Sequence, residues 1–138
     1  MTYIPETLRQ QVFLRAKRRC EYCQAQKAII ITLEIDHIMP VSLGGKTDSD
    51  NLCVACRPCN ANKKDVIRAI DPQTNTLQRL FNPRTQIWYS NFQWDETGTI
   101  MIGLTPIGRA TIEQLQMNDV DMVGARKIWV ETGLHPPK

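Results

Sequence analysis

The sequence predicts a small α+β fold, and three observations support this prediction. Apolar residues recur at helical spacing near the N-terminus, residues 28–38 are rich in β-branched side chains, and the second half holds two strand-like runs followed by two helical segments. A chain of 138 residues, 42% of them hydrophobic and 22% charged, is long enough to bury its own core. We expect two units, residues 1–70 and an α+β extension over residues 71–138 that packs on the first.

The N-terminal segment is predicted to form an amphipathic helix over about residues 5–18. Its apolar side chains recur at four-residue intervals, at Ile4, Leu8, Val12 and Ala16. Pro5 suits the first turn of such a helix. The opposite side carries a basic cluster, formed by Arg9, Arg15, Lys17, Arg18 and Arg19. This cluster is either a solvated helix face or the edge of a site, since it runs directly into Cys20.

The middle of the chain is predicted to contain two strands and a helix. The first strand covers residues 28–38, where polar residues alternate with apolar ones, and Pro40 ends it. Gly44-Gly45 provides a turn that accepts positive φ, and Leu52–Ala55 forms a second short extended piece. Pro58 then suits the start of a helix that continues to about Ile70.

The second half is predicted to contain a β-hairpin followed by two helices. Its strands are Ile87–Trp94 and Thr99–Leu104, joined by the turn signal Asp95-Glu96-Thr97-Gly98. Thr105-Pro106 begins a helix that ends near Met117, and Asp119 caps a last helix that ends before Gly133. The aromatic residues near the hairpin are more typical of a core than of a surface that stacks on bases.

The charge of the chain is unevenly distributed. The formal net charge is +3, but residues 1–70 hold 11 Lys and Arg against 7 Asp and Glu, whereas residues 71–138 hold 6 against 7. The basic half is therefore the part expected to bind a polyanion. No apolar run approaches the roughly 20 residues of a membrane span, and the N-terminus lacks an apolar signal region. We expect a cytoplasmic protein with no membrane partner.

Four cysteines form two Cys-x-x-Cys pairs, Cys20 with Cys23 and Cys56 with Cys59, separated by 32 residues. Two such turns can complete a tetrahedral zinc site, and a site with four cysteine ligands is closed and therefore structural. Cys53 is also two residues away from Cys56, so that pair is an alternative that would leave Cys59 spare. We prefer Cys56 with Cys59, because Cys53 lies within the apolar second strand and resembles a core thiol.

A second group of residues has the chemistry needed to cut a phosphodiester. Asp36-His37 is followed by Asn51 and then by Asn60. A neutral imidazole can take a proton from water near neutral pH. A carboxylate and an amide oxygen are hard ligands that suit Mg²⁺. Glu34 alternates with Asp36 along the predicted strand, so it is an auxiliary ligand, an orienting group or an exposed acid.

Five motifs in this order resemble those of the HNH endonucleases. They are Arg19–Cys23, Glu34–Pro40, Gly44-Gly45, Asp50–Leu52 and Cys56–Lys63. The likeness covers about residues 15–68, roughly half of the chain. The combination is far more specific than an isolated Asp-His pair.

The resemblance implies a ββα-metal core, also called a His-Me finger, within residues 1–70, with a structural zinc site beside it. It implies that His37 is the general base, that Asp36 and Asn60 hold the catalytic divalent ion, and that Asn51 orients the loop carrying the histidine. Many members have a second histidine where this chain has Asn60. An amide oxygen is harder than an imidazole nitrogen, so Mg²⁺ or Mn²⁺ is expected in the catalytic site.

The expected function is therefore that of a metal-dependent HNH endonuclease that nicks DNA with little sequence specificity. Candidate DNA contacts are Arg18, Arg19 and Lys63, with Arg84 and Arg109 as further candidates for backbone contacts. No obligatory protein partner is indicated, and a dimer is left open. The alternative is a non-catalytic zinc module that binds nucleic acid, which would leave the group of Asp36, His37, Asn51 and Asn60 unexplained.

Overall fold

The computed structural model describes residues 2–27 and 31–138, and it confirms a mixed α+β fold of helices and small sheets. The helices are α1 (Glu6–Arg15), α2 (Arg57–Lys63), α3 (Trp88–Asn91), α4 (Pro106–Leu115) and α5 (Val120–Glu131). The strands form three antiparallel pairs: β1 (Leu33–His37) with β2 (Leu52–Cys56), β3 (Arg68–Asp71) with β4 (Thr76–Arg79), and β5 (Phe92–Trp94) with β6 (Met101–Gly103). Within the described ranges, every helix is too short or too polar to cross a bilayer.

Helix α1 is shorter than predicted, because it ends at Arg15 rather than near residue 18. Lys17 and Arg18 have φ values of 56° and 53°, in the left-handed region, and this conformation cannot continue a helix. Val12 of α1 is fully buried and packs in one apolar cluster with Val54 of β2. This contact fastens α1 to the β1–β2 sheet.

Strand β1 and strand β2 pair so that Asp36 lies opposite Cys53 and His37 lies opposite Leu52. The predicted first strand began at residue 28; residues 28–30 lie outside the described residues, and the observed strand begins at Leu33. All five residues of β2 are buried, and α2 follows β2 directly. The end of β1 and the side of α2 are thereby brought next to each other.

The prediction that α2 continues to Ile70 is wrong. Lys64 has φ 55° and ψ −145°, which stops the helix after Lys63. Arg68–Asp71 then forms β3, which pairs with β4 through a turn in which the amide of Asn75 donates to the carbonyl of Asp71 at 2.8 Å. Turn residues between Asp71 and Asn75 were present in the sequence and are typical of such a hairpin.

Strand β4 was not predicted, but from residue 87 onward the chain follows the prediction except at the first strand of the β5–β6 hairpin. Residues 88–91 form the helical turn α3 rather than a strand, and only Phe92–Trp94 pairs with β6. The turn places Trp88 so that its indole nitrogen donates to the carbonyl of Tyr22 at 2.7 Å. Both predicted caps are confirmed: the Thr105 side chain accepts from the amide of Gly108, and that of Asp119 accepts from the amide of Met122.

The main core joins the two halves of the chain. The cysteines of the first half pack with buried side chains of the second, which include Leu80, Phe81, Phe92, Met101, Leu115, Met117 and Met122. Trp88, Trp94 and Trp129 pack against this cluster. The aromatic residues near the hairpin thus belong largely to the core, as the composition favoured.

Candidate metal centres and active site

Cys20, Cys23, Cys56 and Cys59 form a compact buried cluster. Their sulfur atoms all lie within 4.8 Å of one another, and the sulfurs of Cys23 and Cys56 are 3.6 Å apart. Zinc–sulfur bonds of about 2.3 Å in a tetrahedron require sulfur–sulfur separations of about 3.8 Å. The four thiols therefore fit a zinc ion.

Cys53 lies outside this cluster, whereas Cys56 and Cys59 both belong to it, as the preferred pairing requires. Its thiol donates to the hydroxyl of Tyr22 at 3.5 Å and lies 3.8 Å from Oδ2 of Asp36. Burial and the nearby charge of Asp36 raise the pKa of the Cys53 thiol well above its usual value. Cys53 is thus a neutral thiol of the core.

Three of the predicted site residues come together in one place. Asp36 and His37 at the end of β1 and Asn60 of α2 line an open cleft of about 340 Å³. The loop after β1 forms another wall through Val41 and Ser42. The fourth predicted residue, Asn51, lies in the turn before β2 and holds that loop rather than lining the cleft.

Asp36 is 8% exposed and is held by two groups that the sequence did not indicate. The ammonium of Lys63 lies 3.1 Å from its Oδ2, and the hydroxyl of Tyr22 donates to the same atom at 3.2 Å. Burial raises the pKa of Asp36, and the positive charge of Lys63 offsets part of this effect. Tyr22 belongs to the first cysteine turn, so this hydrogen bond links the cysteine cluster to the cleft.

Lys63 has a structural position that does not fit the predicted contact with DNA. Its side chain is 1% exposed, and its ammonium also donates to the carbonyls of His37 and Ile38 at 3.3 and 3.4 Å. Three oxygen partners therefore hold this charge inside the protein. The lysine ties α2 to the end of β1 instead of reaching a phosphate.

Asn60 is oriented by Glu34. Its amide nitrogen donates to Oε1 of Glu34 at 3.0 Å, while the other oxygen of Glu34 pairs with Arg57 at 3.2 Å. An ionised carboxylate only accepts hydrogen bonds, so the nitrogen of the amide must face Glu34. The carbonyl oxygen of Asn60 is left for another partner, and Glu34 acts as the orienting group among the three alternatives.

His37 has a neighbour that sequence reasoning missed. Its Nε2 lies 2.9 Å from the hydroxyl of Thr47, which follows the Gly44-Gly45 turn. This turn folds the loop back over the end of β1, since the amide of Gly45 donates to the carbonyl of Pro40 at 2.9 Å. No signal near Thr47 indicates the contact, because the two residues are ten positions apart in the sequence and the chain between them forms a loop.

Asn51 fastens the loop that follows His37. Its Oδ1 accepts from the amide of Met39 at 2.8 Å, and its Nδ2 donates to the carbonyls of Met39 and Lys46 at 3.0 and 2.9 Å. The amide of Ile38 donates to the Asn51 carbonyl at 2.9 Å. Four hydrogen bonds thereby restrict the backbone next to His37.

The other candidate DNA contacts divide into two groups. Arg18 is exposed and Arg19 is half-buried. Arg84 and Arg109 are engaged inside the protein: Arg84 pairs with Glu21, and Arg109 makes two hydrogen bonds of 2.9 and 3.0 Å to the fully buried Asp71.

The hydrogen bonds from Arg109 lower the pKa of Asp71. Burial lowers the pKa of Arg84 to about 10. The suggestion that Arg84 and Arg109 contact DNA therefore does not fit. Both are ion-pair partners that join distant parts of the chain.

The comparisons with known proteins agree with this arrangement. The family model of the HNH endonucleases matches residues 20–65, from the first clustered cysteine to just beyond α2. No curated protein and no solved structure matches the chain. The matched segment contains the four clustered cysteines and the three side chains that line the cleft, and such a domain indicates nuclease-type activity or nucleic-acid binding. Residues 20–65 therefore match an HNH endonuclease domain, and the cysteine cluster within them is positioned to bind zinc.

Proposed function

We propose that this chain is a metal-dependent endonuclease that hydrolyses phosphodiester bonds in DNA. The observation that carries the proposal is that Asp36, His37 and Asn60 line one open cleft within the HNH domain. A carboxylate and an amide oxygen suit a hard divalent ion, and an imidazole beside them suits proton transfer from water. This combination serves hydrolysis, whereas binding alone would not require it.

Asp36 and Asn60 are the proposed ligands of Mg²⁺ or Mn²⁺. Tyr22 and Lys63 both engage Oδ2 of Asp36, so Oδ1 is the oxygen available to an ion. Glu34 engages the amide nitrogen of Asn60, so its carbonyl oxygen is available as well. When bound, such an ion stabilises the negative charge that develops on the phosphate and on the leaving oxygen.

His37 is the proposed general base, and Thr47 is its positioning residue. If the Thr47 hydroxyl accepts from Nε2, the unprotonated nitrogen is Nδ1, which then takes the proton from the attacking water. Asn51 holds the adjoining loop in place through Met39. We expect Thr47→Val to lower the cleavage rate without changing DNA affinity, and Thr47→Ser to restore the rate; equal rates for all three proteins would remove this role.

Lys64 is the proposed phosphate contact beside the site. It is exposed, directly follows α2 and lines the cleft together with His37 and Asn60. Its φ of 55° and ψ of −145° are readily adopted by glycine but strained for lysine, and such strain concentrates at functional sites. It is the one lysine or arginine among the described residues that line this cleft. An ammonium placed there can pair with a phosphate near the scissile bond.

The remaining parts have supporting roles in this proposal. The zinc site holds the cysteine turns together, and Arg18 and Arg19 contact backbone phosphates further away. Phosphate contacts do not read sequence, so weak sequence preference and a strong dependence on salt are expected. One catalytic centre cuts one strand, so cleavage of both strands requires two copies or two encounters.

The test is nicking of supercoiled plasmid at low salt by zinc-loaded protein. Wild type should nick with Mg²⁺ or Mn²⁺ and stop when the added ion is withdrawn, while a zinc assay shows that zinc is retained. His37→Ala should bind DNA as wild type does but fail to nick. DNA binding without cleavage by wild type, with either ion and with DNA in several forms, would instead favour the non-catalytic zinc module.

A further inference from the structure

Arg126 is a buried cation without a carboxylate partner. It lies in α5, its side chain is 0% exposed, and it is the largest fully buried side chain in the described part of the chain. Its hydrogen-bond partners are neutral oxygens: the carbonyls of Thr99 and Met117 and the side-chain oxygen of Asn118. None of the ion pairs found between described residues includes Arg126, and its Nε has no partner.

A buried charge of this kind needs a compensating charge. Removing a guanidinium from water without an opposite charge is costly by several kcal/mol in general. A cation–π contact supplies part of the compensation, since the guanidinium carbon lies 5.1 Å from the centre of the Trp94 ring. Such a contact is too weak to replace a full negative charge.

Arg126 shares its buried surroundings with the cysteine cluster. Arg126 touches Met101 and Met117, and both methionines pack in the same buried cluster as the four cysteines. Burial lowers the pKa of Arg126, while negative charge on Cys23, Cys59, Cys56 and Asp119 acts in the opposite direction. Four thiolates around Zn²⁺ leave a net charge of −2, also buried and also in need of compensation.

We propose that Arg126 is the counter-charge of the zinc–cysteine centre, so that the C-terminal segment completes a metal site whose ligands all lie in the HNH domain. The positive charge of Arg126 and the negative charge of the zinc–cysteine centre then compensate each other within the shared core. This assignment gives residues 71–138 a function beyond packing. It also stands independently of the nuclease proposal, because it concerns zinc and not the cleft.

The test uses Arg126→Met, which removes the charge and keeps an apolar chain of similar length. Arg126→Lys retains the charge, and Lys127→Met removes the charge from the exposed neighbour in α5. Met122→Ala weakens the same cluster without changing any charge. Zinc affinity is measured for each protein by competition with a chromophoric chelator. We expect Arg126→Met to weaken zinc binding by about tenfold or more, Arg126→Lys to recover most of it, and Lys127→Met to match wild type.

Loss of stability alone also weakens zinc binding, because the centre forms only in the folded chain. The second readout is therefore the sulfur-to-metal charge-transfer band of the Co²⁺-loaded proteins, whose energy reports the charge beside the thiolates. Arg126→Met should shift this band to longer wavelength, while Arg126→Lys and Met122→Ala should leave it unmoved. An unshifted band in Arg126→Met overturns the proposal, whatever the affinity. If Arg126→Met does not fold, Arg126→Gln compared with Arg126→Lys makes the same test.

Discussion

Gly45→Ala probes how tightly the loop carrying the histidine is built. A Cβ at position 45 would lie 1.7 Å from the carbonyl oxygen of Met39, 2.6 Å from its carbonyl carbon and 2.9 Å from Nδ2 of Asn51. Both Met39 atoms belong to backbone, which cannot rotate away as a side chain would. Reaching even 3.0 Å requires a backbone displacement of about 1.3 Å.

The size of the effect follows from the bonds that this displacement breaks. Asn51 holds Met39 with hydrogen bonds of 2.8 and 3.0 Å, and the Gly45 amide bonds to Pro40 at 2.9 Å. At about 1 kcal/mol for each net hydrogen bond, we expect a loss of about 2–4 kcal/mol in the free energy of unfolding. A displacement of about 1 Å near a catalytic group lowers rates by about 10²-fold, so nicking should fall by that order.

The assay is urea unfolding of the zinc-loaded proteins together with the plasmid nicking rate, and two other glycines provide controls. Gly44→Ala meets no atom within 4 Å but has φ +91°, so it should lose about 1–2 kcal/mol and keep most activity. Gly124→Ala lies in α5 with open space around it and should gain about 0.5–1 kcal/mol. If Gly45→Ala has the free energy of unfolding of wild type and nicks within twofold of its rate, the loop is not packed as tightly as these distances indicate.

Three further predictions concern the zinc centre, the cleft and the C-terminus. Cys20→Ser should leave the protein unfolded at zinc concentrations that fold the wild type, measured by circular dichroism, and a folded, zinc-loaded but inactive variant would contradict a purely structural centre. Lys64→Gly should raise the free energy of unfolding by about 1 kcal/mol because it relieves backbone strain, yet it should weaken DNA binding and reduce the salt dependence of binding by about one phosphate contact. The control Gln116→Gly, at another positive φ, should gain stability with no change in DNA binding. If Lys64→Gly binds DNA like wild type, Lys64 does not contact the phosphate. Burial and the nearby Arg126 charge lower the pKa of His135 to about 4, so the unfolded chain takes up the proton first as pH falls and stability is lost from about pH 6.5 downward. Between pH 7.5 and 5.5 the free energy of unfolding, measured with urea, should therefore fall by up to about 1 kcal/mol more for wild type than for His135→Gln. Equal losses would show that the fold does not lower the pKa of His135.

The sequence was informative wherever the structural cause is local. The Thr105 and Asp119 caps depend on a side chain and an amide three residues away, so both could be identified from residue type and position. The turn at Gly98, with φ +74°, follows from glycine in a hairpin signal. The end of α2 could not be identified in this way, because Lys64 adopts a conformation that its residue type disfavours.

The candidate site shows the same division. Asp36, His37 and Asn60 were identified from residue type and order, and they do line one cleft. Their orientation depends on Tyr22, Glu34, Lys63 and Thr47, and of these only Glu34 had been given an orienting role among its alternatives. The positions of these partners depend on how β1, β2 and α2 pack together, and no pattern within a short window encodes that packing.

By itself the sequence determined the α+β class, and it predicted which cysteine turns cluster and which residues have chemistry that suits catalysis, because spacing, capping and side-chain type are properties of neighbouring residues. Only the tertiary structure decided which basic side chains remain available to contact a ligand. Lys63, Arg84, Arg109 and Arg126 are all basic in the sequence, yet each is engaged inside the protein, whereas Lys64 lines the cleft. A cation becomes a structural group or a surface contact according to what packs around it, and its partner can lie 38 residues away, as Asp71 does from Arg109.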